Sequence, residues 1–240
     1  YTRRGDFTLD KDGYLVNGAG FYLKGSSINP VTGEVSGAAN GVIQISNDPL
    51  PARRTSEIVY KANLPSRPAT AAAEPSTQGS ELLFTTGTAP FSNNPAFGGD
   101  GFVRADEQSL FLSRSISGGS ISVYNDVGAP IDVQLRWAKI DNTSGNETWN
   151  LFYLTNSNAT GAQPTWVALG AVDFNTNGQL TAASPTAFTL PGTATINGAS
   201  IGGDVSFNFG ANGLTQFSSS SGLVQASTIT QDGYPSGTLD

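Results

Sequence analysis

The chain has 240 residues, enough to bury a sizeable core in one or two domains, with 38% hydrophobic residues, 13% charged residues and a net charge of −7. All 12 Lys and Arg lie at or before Lys139 beside 13 acidic residues, and the rest of the chain carries six acids and no base; a nucleic acid or an anionic membrane calls for a basic surface that this balance does not offer. Cys and His are both absent, which excludes disulfides, thiolate nucleophiles, imidazole bases and nearly all zinc or copper centres.

No apolar run approaches the ~18 residues that cross a bilayer. The sequence opens mid-strand on Tyr1-Thr2-Arg3-Arg4, without an apolar leader, and is expected to be an internal piece of a longer protein.

Residues 7–25 alternate apolar and polar around Asp10-Lys11-Asp12-Gly13 and Asn17-Gly18, which predicts a three-stranded meander. Short segments follow, punctuated by Ile28-Asn29-Pro30 and Val31-Thr32-Gly33, with strands at Val42-Ile43-Gln44-Ile45 and at Glu57-Ile58-Val59-Tyr60-Lys61-Ala62. Pro49 and Pro51 forbid regular pairing between those two. Residues 65–80 read PSRPATAAAEPSTQGS, in which the prolines break any helix, and they are expected to form a linker or a long surface excursion after Leu64.

Beyond it, Leu82-Leu83-Phe84, a Gly/Asn/Pro loop over 87–101, Leu110-Phe111-Leu112 and Ile121-Ser122-Val123-Tyr124 continue a strand-rich pattern. Ile131, Val133, Leu135 and Trp137 alternate with Asp132, Gln134 and Arg136, the mark of a strand with one wet face. Residues 149–154 are apolar on both faces and should be central. Further strands are expected at 166–169, 172–174, 205–209 and 223–229. No window shows a sustained 3.6-residue period, so the chain is read as all-β, in sandwich- or barrel-like domains.

Candidate chemistry is sparse. Asp10, Asp12 and Gly13 resemble the start of a calcium loop, but the next acid is Glu34, and an Asp-Gly hairpin accounts for the same residues. Asp126 with Asp132, or Glu147 with Asp173, could be nominated as paired carboxylates for glycoside hydrolysis, with nothing to select them. Trp137, Trp149 and Trp166 could form a sugar-stacking face, although tryptophans at strand positions belong more often to a core. Ser219 to Ser221 lack a histidine partner. Gly98-Gly99-Asp100-Gly101 lacks the helix and lysine of a phosphate cradle. The sequons at Asn142, Asn146 and Asn158 lie in expected turns. No catalytic, cofactor or metal site emerges.

Two terminal motifs carry a resemblance. Gly213-Leu214-Thr215-Gln216-Phe217 followed by Gln231-Asp232-Gly233-Tyr234-Pro235-Ser236-Gly237 is similar to the C-terminal hallmark of bacterial flagellar hook proteins. Thr2-Arg3, Gly5-Asp6-Phe7, Gly13-Tyr14-Leu15-Val16, Gly20, Leu23 and Gly25 resemble the motif that hook proteins share with flagellar rod proteins. Tyr124-Asn125-Asp126-Val127-Gly128 and Phe174-Asn175-Thr176-Asn177-Gly178-Gln179-Leu180 fit the same family, with Asn125 where Asp is more usual.

The resemblance implies a discontinuous layout. One β domain would comprise residues 1–64 and 209–240, truncated at its C-terminal side, and an outer β domain, 65–208, would be inserted into it. It implies a hinge at Asn63, Leu64, Pro65, Ser66, Gly210, Ala211, Asn212 and Gly213, and packing of residues 7–25 against 214–237. It also implies a structural subunit rather than an enzyme: an extracellular part of the flagellum, exported without a cleaved signal peptide. Such a subunit self-assembles into a curved tube that passes torque from rod to filament, with rod and hook-filament junction proteins as partners, while the isolated piece would be a monomer. The competing readings are a carbohydrate-binding or adhesin-like β-sandwich and another axial protein such as the distal rod.

Overall fold

A computed structural model describes residues 5–28, 34–45, 50–83 and 101–237. The expected punctuation at residues 29–33, Pro49, Phe84, Gly98-Gly99-Asp100 and Thr2-Arg3 lies outside them. The fold is nearly all β, and the chain forms two compact units, Tyr1–Pro51 with Gly237–Asp240, and Ala52–Ser236.

In the first unit, β1 (Phe7–Leu9) and β2 (Leu15–Asn17) form a hairpin, and β3 (Lys24–Ile28) pairs with β4 (Val35–Val42). The expected meander is present as that hairpin plus a single bridge from Val16 to Tyr22. Its second turn differs from the two-residue Asn17-Gly18 turn expected, because the residue with positive φ is Gly20 (82°). Asn17 Oδ1 accepts the N–H groups of Ala19 and Phe21, and the Gly20 N–H returns to the Asn17 carbonyl at 2.8 Å.

Among the described residues, that geometry occurs at four places. Asp10, Asn17, Asn125 and Asn175 each accept the second and fourth following N–H groups on a side-chain oxygen, with glycine at the third position. A side-chain oxygen that imitates a backbone turn, followed by a left-handed glycine, closes a hairpin with a bulge. An Asn oxygen serves as well as an Asp oxygen, so the Asn125 departure is conformationally silent. Asp10 Oδ1 is committed to this turn rather than to a loop wrapped around an ion.

The second unit is a sandwich. One layer is an antiparallel sheet ordered β6 (Phe102–Arg104), β10 (Pro164–Phe174), β9 (Glu147–Leu154), β8 (Pro130–Asp141), β7 (Ile116–Tyr124). The other is ordered β11 (Ala187–Leu190), β14 (Val205–Asn208), β5 (Glu57–Pro65), β15 (Leu214–Phe217), with β16 (Gln225–Gln231) on the second edge of β5. The short β12 (Thr195–Ile196) and β13 (Ala199–Ser200) form a hairpin of their own. Ile131, Val133, Leu135 and Trp137 of β8 point between the layers, as their alternation predicts, and β9 is central and buried on both faces.

The outer face of the antiparallel sheet is also covered. Phe111 lies against Phe152 and Trp166, with ring centroids 4.9 and 5.5 Å apart, beside Leu83, Val103 and Ile140. Here the sequence reading needs correction, since Leu110-Phe111-Leu112 is not a strand. It lies in α1 (Gln108–Ser113), which buries Phe111 alone and leaves Leu110 and Leu112 partly exposed. Three consecutive apolar residues have no period, so they do not distinguish a strand from one turn of helix.

The domain boundary also differs from expectation. Ile58, Tyr60, Ala62 and Leu64 of β5 belong to one core with Val133, Trp137, Trp149 and Phe207. A cut at 64/65 would pass through that core, and the described residues divide at 51/52 and 236/237 instead. Nor is the proline-rich stretch a free linker. Ala69 N–H donates to the Gly222 carbonyl, Ala72 to Ser113 and Leu83 to Lys139, while Arg114 Nη1 reaches the Leu82 carbonyl at 2.8 Å. Residues 66–83 are an excursion pinned to the sandwich.

Inside the core, the Tyr60 hydroxyl donates to the Gly118 carbonyl at 2.9 Å and accepts from Trp137 Nε1 at 3.1 Å. Burial pushes its pKa up to about 12, against the opposing pull of the Trp137 bond. Tyr60→Phe would strand both partners in a dry interior and should destabilise the second unit by roughly 1–3 kcal/mol. All three tryptophans lie in that unit, so urea unfolding followed by indole fluorescence reads the change. An unshifted midpoint would contradict the assignment.

Candidate functional site

Two of the motifs that carry the sequence resemblance, those around Asp232 and Asn125, meet at the start of β5. Arg53 and Tyr234 exchange backbone hydrogen bonds of 2.9 Å in both directions, and regular pairing resumes at Ile58↔Gln231. Four residues on the incoming strand, Arg54, Thr55, Ser56 and Glu57, therefore face two on the outgoing strand, Asp232 and Gly233. A bulge of this size leaves backbone donors without ladder partners.

The Asp232 carboxylate supplies the missing acceptors. Its Oδ1 receives Ser56 N–H at 2.8 Å and Glu57 N–H at 2.9 Å, and its Oδ2 receives the Ser56 hydroxyl at 2.6 Å and Arg53 Nη2 at 3.2 Å. Burial pulls its pKa upward, but the Ser56 hydroxyl and the Glu57 and Ser56 N–H groups outweigh burial and hold it down at about 2. Gly233 follows because a Cβ there would lie 2.4 Å from Thr55 Oγ1 and 2.7 Å from Thr55 N.

Thr55, fully buried, ties this clasp to β7. Its hydroxyl donates to Gln231 Oε1 at 2.9 Å and accepts Tyr124 N–H at 2.9 Å, and its own N–H donates to the Tyr124 carbonyl at 2.9 Å. The Asn125 turn that follows is held by Arg54, whose Nε lies 3.3 Å from Asp126 Oδ1. The fourth motif docks in the same way. Gly178, at φ 70°, receives Gln216 N–H on its carbonyl at 2.8 Å, and a Cβ would meet Gln216 O at 2.4 Å. The motif positions are therefore turn closures and strand joins rather than reacting groups.

The expected hinge residues fall elsewhere than between the compact units. Asn63, Leu64 and Pro65 pair with Thr215, Gln216 and Phe217 inside β5, and the Ser66 carbonyl accepts Lys139 Nζ at 2.6 Å. Gly210, Ala211, Asn212 and Gly213 form the connection from β14 to β15, where a Cβ on Gly213 would lie 1.7 Å from the Phe209 carbonyl oxygen. Both segments are held by the sheet whose core they share.

Three of the four nominated acids are engaged in structural contacts. Asp126 pairs with Arg54, Asp173 accepts the Thr148 hydroxyl at 2.7 Å, Glu147 is bound by Lys139 and Gln216, and Asp132 lies on the wet face of β8. Trp137, Trp149 and Trp166 are buried and offer no stacking face for a sugar. Sequence reasoning missed Lys139, a lysine only 2% exposed. The signal was available, because two residues after Trp137 the inward alternation of β8 arrives at Lys139.

A depressed carboxylate stabilises the fold above its unfolded pKa and loses that contribution as pH falls through its folded value. For Asp232 the window runs from about pH 4 down to about pH 2. With the side chain a quarter exposed, the loss should be about 1 kcal/mol. Acid titration of the urea midpoint of wild type against Asp232→Asn checks this: the wild type should fall more steeply in that window, and parallel curves would refute it.

Comparison with known proteins fits this geometry. Residues 114–234, just over half of the chain, match the family model described as flagellar basal body protein FlaE D2 domain. The flagellar hook proteins FlgE of Brucella abortus biovar 1 (strain 9-941) and Brucella suis biovar 1 (strain 1330) are each 38% identical over 65 residues, which make up 27% of this chain and 16% of theirs. The fold is similar to that of the Helicobacter pylori flagellar hook protein FlgE2, with a TM-score of 0.54 at 14% identity over all of this chain and 75% of the other. With the matched segment running from Arg114 through β7, the Asn125 and Asn175 turns and β15 to the Asp232 clasp, the chain belongs to the flagellar hook protein family through its FlaE D2 domain.

Proposed function

We propose that this chain is the outer part of a flagellar hook subunit, which polymerises helically into a curved tube and passes torque from rod to filament. The observation that carries the reading is the family match across the two turns and the clasp of the second unit. On this reading the protein is extracellular, leaves the cell without a cleaved signal peptide, and meets rod and hook-filament junction proteins at the ends of the polymer.

The surface suits such a joint. Subunits of a universal joint slide past one another on every revolution, which favours modest, polar contacts over a core-like interface. The wet faces of β7 and β16 carry Ser117, Ser120, Ser122, Gln225, Ser227 and Thr228 with few charges. The separate 240-residue chain, at net charge −7, should be a monomer in dilute solution.

Antibodies raised against the chain should label only the short curved segment between cell envelope and filament in immunogold images of isolated flagella, and light scattering of the chain should give the monomer mass. Label on the rod or on the cell surface would overturn the assignment. A stable ring or fibre of the chain would overturn the monomer.

A further inference from the structure

The segments that enter and leave the second unit lie side by side. Arg53 pairs with Tyr234, and β5 runs antiparallel to β16 from Ile58↔Gln231 to Asn63↔Gln225. Tension that draws both segments out of the unit acts across this ribbon at one end, so its hydrogen bonds meet the load one after another. Resistance then depends on the first rungs, and rungs further along add little to the peak. The mouth of the ribbon is also where the ladder is interrupted by the bulge. Between the Arg53–Tyr234 pair and the Ile58↔Gln231 pair, closure rests on Asp232, with Asp232 N–H to the Glu57 carbonyl a long 3.3 Å. Bonds to an ionised acceptor are about twice as strong as neutral ones, which suits the one place that regular pairing abandons. Thr55 braces the same point sideways to Tyr124 and Gln231.

We propose that the Asp232 carboxylate is a mechanical latch: with Ser56 and Glu57 it holds the mouth of the β5–β16 ribbon shut against tension delivered through the two chain crossings, and the sandwich behind it stays folded while the latch holds. The use of such a latch rests on the torque-carrying role proposed above, whereas its existence is a property of this chain and is tested separately.

The chain has no cysteine, so Leu50→Cys and Gly237→Cys place pulling handles on either side of the second unit within the full 240 residues. Leu50 and Gly237 exchange backbone hydrogen bonds, and a Cβ on residue 237 lies 3.8 Å from that of Leu50, within disulfide reach, so both thiols are kept reduced until the handles are attached. Under constant load, Asp232→Ala should open at least about tenfold faster than the parent, the factor that loss of one charge-assisted bond from the barrier gives. Val133→Ala in β8, a core change titrated in urea so that variants of equal equilibrium stability are compared, should open less fast than Asp232→Ala. With handles at Asn158→Cys and Ala211→Cys the load bypasses the clasp, and the two variants should behave alike. If Asp232→Ala does not fold, Ser56→Ala removes one hydroxyl and should give a smaller acceleration confined to the 50/237 geometry. Equal acceleration by core and clasp variants through the 50/237 handles, or the same clasp effect in both geometries, would overturn the latch. Immunogold label away from the hook would remove the functional reading and leave the force result standing.

Discussion

The second unit depends on one constraint, which is that β5 has two edges and an apolar face and all three must be covered. Its apolar residues, Ile58, Tyr60, Ala62 and Leu64, pack against the antiparallel layer. One edge is shared, parallel, by β14 along residues 57–59 and β15 along residues 62–65, and the other is filled by β16. Parallel partners need long connections, so the strands around β5 come from widely separated parts of the chain. The unit closes only when its last strand arrives. Residues 57–65 and 225–231 are the two ends of a single folding requirement, which is why a domain boundary between Leu64 and Pro65 has no physical basis.

Polar side chains inside this arrangement tie separate strands together. Lys139 reaches the Ser66 carbonyl and the Glu147 carboxylate, and Glu147 also takes Gln216, so one buried cluster links β8, β9, β15 and the start of the excursion. Removing Glu147 would cost most on the Lys139 side, because that ammonium is only 2% exposed whereas the Glu147 side chain is 29% exposed. Asp232 plays the complementary part at the rim, where solvent shares the carboxylate and four donors converge on it. The interior cluster fixes which strands meet. The rim clasp fixes where the ribbon begins.

How much of this could be read in the sequence follows from the range over which each signal acts. The alternation of β8 and the two-sided burial of β9 were legible because a strand's faces follow from period two alone. The four turns were legible as turns from Asx and Gly, but not as one geometry, since the side-chain oxygen and the glycine lie three positions apart and the tempting Asn17-Gly18 dipeptide sits between them. Helix α1 was hidden because only Phe111 of its three apolar residues is buried. The clasp was visible as the motif around Asp232, but its role was not, because its donors on Ser56 and Glu57 are 176 and 175 residues away. The expected hinge failed for the same reason. Prolines at 65 and 68 and glycines at 210 and 213 look like joints until the pairing of β15 with β5 is seen.

That failure leads to the last step. Glycine and proline mark where a backbone turns, and turning is not yielding: Gly178 and Gly233 lack a Cβ because other chain segments press on them, at 2.4 Å from Gln216 O and from Thr55 Oγ1 respectively. Each marks a close approach between distant segments, and so a place where the fold is tight. On the proposed hook reading, compliance resides in contacts between subunits while each sandwich stays closed. Gly178 and Gly233 act as closures of the second unit.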